Sequence, residues 1–305
     1  MSFSVTAPIR ARLRQWVIDA FPREQTGGDD FDAPAGDAGL FGPDSVTWRI
    51  HADFAGMLSG GLCALMLQTL HPRALAGVWD HSNFREDLVG RLRRTTAFVA
   101  GTTYAPSGPA QAQIDWVRRI HARVSGVDAE GQPYRADDPE LLTWVHVTEA
   151  YGFLEGFRRY HQAVLPPGVA DRYYDEVRRI AEALGASDVP RSEREVEAWF
   201  RRAYPALRYT DRTRTVLEVL SKMRLPVPVA GLSRDVFLGA GAALLPDWAG
   251  ELLRHTPAQR VQHGLAATTM KGLAMLFRAA LTDSVAVRSC RRVGVDPATL
   301  QRFPL

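Results

Sequence analysis

The sequence predicts an all-α protein with one large helical domain. Apolar residues recur at helical spacing along most of the chain, and the alternating pattern of a half-buried strand is almost absent. Pro72 and Pro139 stand where one helical pattern stops or the next begins, as expected for proline in the first turn of a helix. The 305 residues are 46% hydrophobic, which is enough for a sizeable core.

The apolar periodicity divides the chain into a series of helices. They are predicted near residues 8–20, 46–70, 72–79, 84–100, 110–125, 139–164, 169–185, 192–203, 210–222, 233–243, 247–254, 258–282 and 284–291. A Gly- and Asp-rich segment before residue 45 predicts a long, mobile loop, and residues 126–138 predict a second loop. We expect an N-terminal helix and loop in 1–44, the main domain in 45–255, and helices packed on the same domain in 256–305.

Composition excludes several classes of protein. The net charge of +3 is small and has no basic block, so nucleic acid is not an expected partner. The apolar run Met57–Leu70 is shorter than the roughly 20 residues of a membrane span and predicts a buried helix. Cys63 and Cys290 have no zinc-ligand spacing, and no signal-peptide pattern opens the chain, so we expect a cytoplasmic protein.

One helical face carries two cations and a hydroxyl. Arg91, Arg94 and Thr95 fall at i, i+3 and i+4, which places them on the same side of a helix. Two guanidiniums so close repel each other, and they are stable either in water or around an anion such as a cofactor propionate. A solvated basic face is the commoner outcome. The apolar residues Leu88, Leu92, Phe98 and Val99 on the same helix instead favour a cofactor-binding site.

Two histidines lie on apolar helical stripes. His121 is in line with Val117 and Val124, and His146 is followed by Glu149 one turn later. Such a histidine is most often a hydrogen-bonded core residue, and the functional alternative is a metal or heme ligand. The order His-x-x-Glu is the reverse of the Glu-x-x-His pairs in ferritin-like di-iron proteins, so a di-iron site is not expected.

His71, before Pro72, is expected at the end of the preceding helix, where a cap favoured by the helix dipole is the simple interpretation. His81 is expected in a turn. The pair Gly60–Gly61 costs a helix about 2 kcal/mol relative to alanine. That cost indicates that another helix or a flat ligand packs closely there.

Familiar catalytic motifs are missing from the sequence. The stretch Gly239–Gly241 has Leu244 where a dinucleotide fingerprint needs a third small residue. There is no P-loop, no nucleophile elbow and no His-Glu-x-x-His zinc motif. A Cys-x-x-Cys-His attachment is also missing, so any heme would be bound non-covalently.

Several segments taken together resemble a known family. They are LQTLHPRALAGVWDHSNFREDLVGRLRRTTAF, VRRIHARVSG, EGQPYRADDPELLTWVH, RYYDEVRRIAEALG and LLPDWAGELL, within about residues 45–255. This pattern is similar to the catalytic domain shared by latex-clearing (rubber) oxygenases and a fungal oxygenase of mycophenolic acid biosynthesis, in a large family of mostly uncharacterised bacterial proteins.

The resemblance implies an all-α, globin-like core that binds heme b, within an oxygenase-like domain at 45–255. It implies that His121 is the proximal iron ligand and that Arg91, Arg94 and Thr95 lie on the distal or propionate side. His146 is then expected in the cofactor pocket, and His71 beside the cofactor, with dioxygen and a small apolar molecule as partners.

The chain departs from the rubber enzymes at two points. Their matching lysine is replaced by Arg94, a poor iron ligand because it stays protonated. No carboxylate lies between His71 and Trp79, where a catalytic glutamate is expected. With no secretion signal, these departures predict a substrate other than rubber.

Two other functions are alternatives to a heme oxygenase. One is a non-catalytic heme or lipid carrier or sensor, and the other is a non-heme metal oxidoreductase using His71, His81, His146 and nearby carboxylates.

Overall fold

A computed structural model of the chain describes residues 11–12, 14–16, 31–161, 164–223 and 230–303. It confirms the all-α class, because the described regular structure is helical apart from one small hairpin. The predicted helix at 8–20, the first half of the loop before residue 45, and the proline-containing connector Pro-Val-Pro-Val at 226–229 lie wholly or largely outside the described residues. The globin-like core stays a prediction.

The helices follow the predicted order closely. They are α1 (Val46–His51), α2 (Phe54–Gln68), α3 (Pro72–His81), α4 (Leu88–Tyr104), α5 (Ser107–His121), α6 (Pro139–Tyr160), α7 (Val169–Leu184), α8 (Glu193–Ala203), α9 (Asp211–Ser221), α10 (Ala230–Ala242), α11 (Asp247–Leu252), α12 (Pro257–Ala280) and α13 (Val285–Arg292). Short 3-10 turns occupy Tyr204–Ala206 and Pro297–Gln301.

The single helix predicted at 46–70 is wrong, since the chain breaks between α1 and α2. Asp53 is the reason: its Oδ2 accepts a hydrogen bond from Gly56 N at 2.8 Å and so caps α2. Its Oδ1 accepts from Arg278 Nη1 of α12 at 2.8 Å, with the carboxylate buried. Starting a new helix at this position therefore gains a cap and a buried ion pair.

The loop predicted at 126–138 instead contains a hairpin. Strand β1 (Ser125–Val127) pairs antiparallel with β2 (Pro133–Arg135). Asp128 closes the turn by accepting from the backbone N–H groups of Glu130 and Gln132 at 2.9 and 2.8 Å. Strands of three residues are too short for an alternating pattern to reveal them.

The core is organised around the contact between α2 and α6. A Cβ atom at Gly60 would lie 2.6 Å from the carbonyl carbon of Gly152, and one at Gly56 would lie 2.9 Å from Phe157 N. The two backbones therefore touch, and only glycine fits at these positions. Of the two explanations expected for Gly60, a neighbouring helix is the one observed. Helices α10 and α12 pack on other sides of α2.

No single described helix has the length and apolar character needed to cross a membrane. Helices α2 and α3 meet that requirement only as a pair, with a bend of 104° between them.

We predict that Gly60→Ala destabilises the protein, because the added methyl group must displace the backbone of α6. Overpacking of this kind costs about 1–3 kcal/mol in the free energy of unfolding. The matched control is Gly272→Ala in α12, where an added Cβ meets nothing within 4 Å. That change should stabilise by roughly 0.5–1 kcal/mol through helix propensity. Urea denaturation of both variants checks this, and equal effects would contradict the close contact.

Candidate functional site

His51, the last residue of α1, is held by two hydrogen bonds in the interior. Its Nδ1 lies 2.9 Å from Thr103 Oγ1 and its Nε2 lies 2.9 Å from Tyr173 Oη. Burial, with a smaller effect of His146, lowers the pKa of His51 to about 3. The imidazole is therefore neutral and fixed in orientation at physiological pH.

His146 lies on α6 and is half-buried. Burial lowers the pKa of its imidazole to about 4. The ring is therefore neutral at physiological pH.

Glu149 lies one turn after His146 and is also buried without full pairing. Burial raises the pKa of Glu149 to about 7, although a hydrogen bond from Gln68 and the charge of Arg91 both act to lower it. The Gln68 amide is itself placed by a 3.1 Å hydrogen bond to Thr148 Oγ1. A carboxyl with this pKa can take up or release a proton near neutral pH.

Arg91 enters the same region from α4. Its pKa is lowered by burial first and by Arg94 second, whereas Glu149 raises it. We call His51, Gln68, Arg91, His146 and Glu149 the buried polar cluster. It joins α1, α2, α4 and α6, and it contains one cation, one carboxyl and two neutral imidazoles.

The other two residues of the predicted Arg91 face lie nearer to solvent. The Arg94 side chain is 58% exposed and lies 3.5 Å from Asp87, an exposed pair of small energetic value. The exposed Thr95 hydroxyl donates to the Arg91 carbonyl of its own helix at 3.3 Å. The structure thus brings Arg91 together with Glu149, whereas Arg94 and Thr95 stay outside the buried polar cluster.

His71 lies apart from the cluster and has a local structural contact. It is the N-cap of α3, where Nδ1 accepts from Ala74 N at 3.4 Å, and not a cap of the preceding helix as expected. Its ring packs 5.7 Å from Trp144, and burial lowers its pKa to about 4. His81 is the exposed last residue of α3 and not a turn residue, with Nε2 3.1 Å from Ser125 O.

His121 is the last residue of α5 and has an unsatisfied nitrogen. Its Nδ1 is buried and has no hydrogen-bond partner among the described residues, while the ring as a whole is partly accessible. Burial lowers its pKa, and Asp137 opposes that change. On the same helix Trp116 and Ile120 are 57% and 39% exposed, which is unusual for large apolar side chains.

These features of His121 fit an axial heme ligand. An axial histidine must be neutral, and burial keeps this imidazole neutral at physiological pH. A buried polar atom without a partner costs about 1–3 kcal/mol, and among the described histidines only His121 has such an atom.

Sequence reasoning missed His51 and Gln68, and it treated Glu149 only as half of a weak motif. The signal for Glu149 was its position one turn from His146 within a largely apolar stretch, 141–154, of the predicted helix. For His51 no local signal exists, because its partners Thr103 and Tyr173 are distant in sequence.

The part of the chain that the structure describes holds no group of three or more His, Cys, Asp or Glu side chains placed to bind a metal ion. The three histidines of a non-heme site are thus not gathered with carboxylates there. The described residues thus form an all-α domain with a buried polar cluster and, apart from it, a half-buried neutral His121.

A family model identifies the class more closely. Residues 48–278 match the family described as the catalytic domain of the ER-bound oxygenases mpaB/B' and of rubber oxygenase, so the chain belongs to this family. Membership confirms the resemblance seen in the sequence and supports a general oxygenase role, with a substrate and dioxygen as partners. No curated protein and no solved structure matches the chain.

We predict that Glu149 makes stability depend on pH. The folded chain keeps a proton that the unfolded chain releases, because the pKa of Glu149 rises from 4.5 to about 7 on folding. Wild type therefore loses stability relative to Glu149→Gln as pH rises through this window, by about 3 kcal/mol in total. The buried histidines have lowered pKa values and act in the opposite direction, but both proteins share them.

The measurement is the free energy of unfolding of wild type and Glu149→Gln between about pH 5 and pH 8. Glu155→Gln, on the same helix but in an ion pair with Arg158, is the control for a lost carboxylate. A wild-type-to-Glu149→Gln difference that is independent of pH would show that this carboxyl titrates normally.

Proposed function

We propose that the chain is a heme b-dependent oxygenase that acts with dioxygen on a small apolar molecule other than rubber. The observation that carries the proposal is His121, whose imidazole is neutral, partly accessible and unsatisfied at a buried Nδ1. Membership of the oxygenase catalytic-domain family supports the oxygenase part of the proposal.

Two features of the chain are compatible with a cofactor bound by His121. Ile120, the neighbour of His121 in sequence, is an exposed apolar side chain. The exposed guanidinium of Arg94 is close to the surface, where propionates lie in most heme sites, and it forms only a weak pair with Asp87. Arg94 stays protonated and so neutralises an anion instead of binding iron.

The second part of the proposal concerns the buried polar cluster. When bound, heme supplies the activation of dioxygen. Glu149 can hold or move a proton near neutral pH, and Arg91 beside it stabilises the ionised carboxylate. The neutral His146 can donate one hydrogen bond and accept another without bringing in a charge.

We predict that the protein purified after expression with ample heme shows a Soret absorption band, and that His121→Ala loses it or shifts it strongly. The reason is that His121 is the proposed axial ligand and no other described histidine shares its combination of access and a buried unsatisfied nitrogen. His81→Ala is the matched control, since that exposed imidazole contacts Ser125 O and the edge of the Tyr134 ring and has no buried unsatisfied nitrogen. A band unchanged by His121→Ala removes the ligand assignment.

The same preparations separate the proposal from its alternatives. Heme binding without dioxygen consumption, across a panel of apolar substrates, would indicate a carrier or sensor. Stoichiometric iron without porphyrin would indicate a non-heme metal oxidoreductase. Dioxygen consumption that requires heme, an apolar substrate and His121 is the outcome expected for the oxygenase.

A further inference from the structure

A second site of charged and titratable residues lies at the opposite end of α6 from Pro139. A cavity of about 200 Å³ opens between the end of α6, the end of α10, α11 and the start of α12. Its polar lining consists of Arg159, Asp247, His255, Arg260 and His263. It shares no residue with the buried polar cluster and none with the surroundings of His121.

The backbone holds the two histidines in place. His255 N donates to Gly250 O at 2.9 Å and so closes α11, after Arg254 turns the chain with φ of 60°. Thr256 then starts α12 with a reciprocal capping box to Gln259. As a result His263, in the second turn of α12, lies beside His255. The centroids of the two rings are 4.8 Å apart, and the ring planes are inclined by 68°.

The charges of this cavity are unbalanced. The lining includes two guanidiniums, on the exposed residues Arg159 and Arg260, and one carboxylate, and neither arginine forms a salt bridge with another described residue. Burial first, then His263 and Arg260, lowers the pKa of His255 to about 4, and burial lowers the pKa of His263. Both rings are therefore neutral at physiological pH, and an anion among them would favour their protonation.

We propose that this cavity binds a phosphate-class dianion, held by Arg159 and Arg260 with the imidazoles of His255 and His263 as further donors. Guanidiniums bind oxyanions through two parallel hydrogen bonds, and two of them match the charge of a dianion better than that of a carboxylate. A phosphate group fills only part of the cavity, so a phosphomonoester also fits.

The test is calorimetric titration of the full chain with sulfate and with inorganic phosphate. Wild type should bind one anion per chain, and Arg260→Gln should weaken binding by about tenfold or more because it removes a charge-assisted contact. Arg201→Gln is the matched control: it removes the same charge from an exposed, weakly paired position on α8. No saturable binding, or equal weakening in both variants, would overturn the proposal.

The source of the phosphate is resolved by competition with phenyl phosphate. Tighter binding of phenyl phosphate than of inorganic phosphate, with the same loss in Arg260→Gln, supports a phosphomonoester ligand. Tighter binding of inorganic phosphate supports the free ion. Failure of either compound to compete with sulfate contradicts a shared site.

The pH dependence of sulfate binding tests the role of the two imidazoles. Sulfate stays dianionic between about pH 5 and pH 8, so a change in its affinity reports protonation of the protein. The charged groups that line the cavity together with His255 and His263 are Arg159, Arg260 and Asp247. Affinity should rise as pH falls, and the rise should shrink in His263→Gln. A wild-type affinity independent of pH contradicts the participation of the imidazoles.

Discussion

The direct backbone contact between α2 and α6 is the constraint on which the rest of the structure depends. Gly56 and Gly60 on α2 meet Gly156 and Gly152 on α6, so the two helices run antiparallel in a fixed register. That register brings Gln68, two turns beyond Gly60, beside Thr148. Glu149 is the next residue on α6, which is why the carboxyl meets the Gln68 amide inside the protein.

Burial at this position decides the chemistry of the polar groups. It keeps His51 and His146 neutral and brings the pKa of Glu149 close to physiological pH. Arg91 only partly offsets the cost of the buried carboxylate, because its own guanidinium is also desolvated. Buried polar groups that are only partly paired lower the free energy of unfolding, and proteins retain them mainly where a ligand or a reaction needs them.

Much of the fold could be predicted from the sequence because the signals that end helices are local. Pro139 with Asp138, and Pro257 with Thr256, mark helix starts within one or two residues. The break at Asp53 could not be predicted, since the ion pair that helps to fix it comes from Arg278, 225 residues away.

The candidate site was predicted only in part for the same physical reason. Arg91 and His146 stood out because local spacing reveals a polar residue on an apolar helix face. Their assembly with Glu149 and His51 depends on how α1, α2, α4 and α6 pack together, and spacing within one helix carries no information on that. The contacts of His71 with Trp144 and of Arg94 with Asp87 likewise cannot be predicted from apolar spacing within one helix.

The central claim is that the imidazole of His121 binds iron, and resonance Raman spectroscopy of the reduced, heme-loaded protein tests it most directly. The account predicts an iron–imidazole stretching band in wild type that His121→Ala abolishes and that added free imidazole restores. A band that persists in His121→Ala, or heme that binds with no such band in wild type, would contradict the claim.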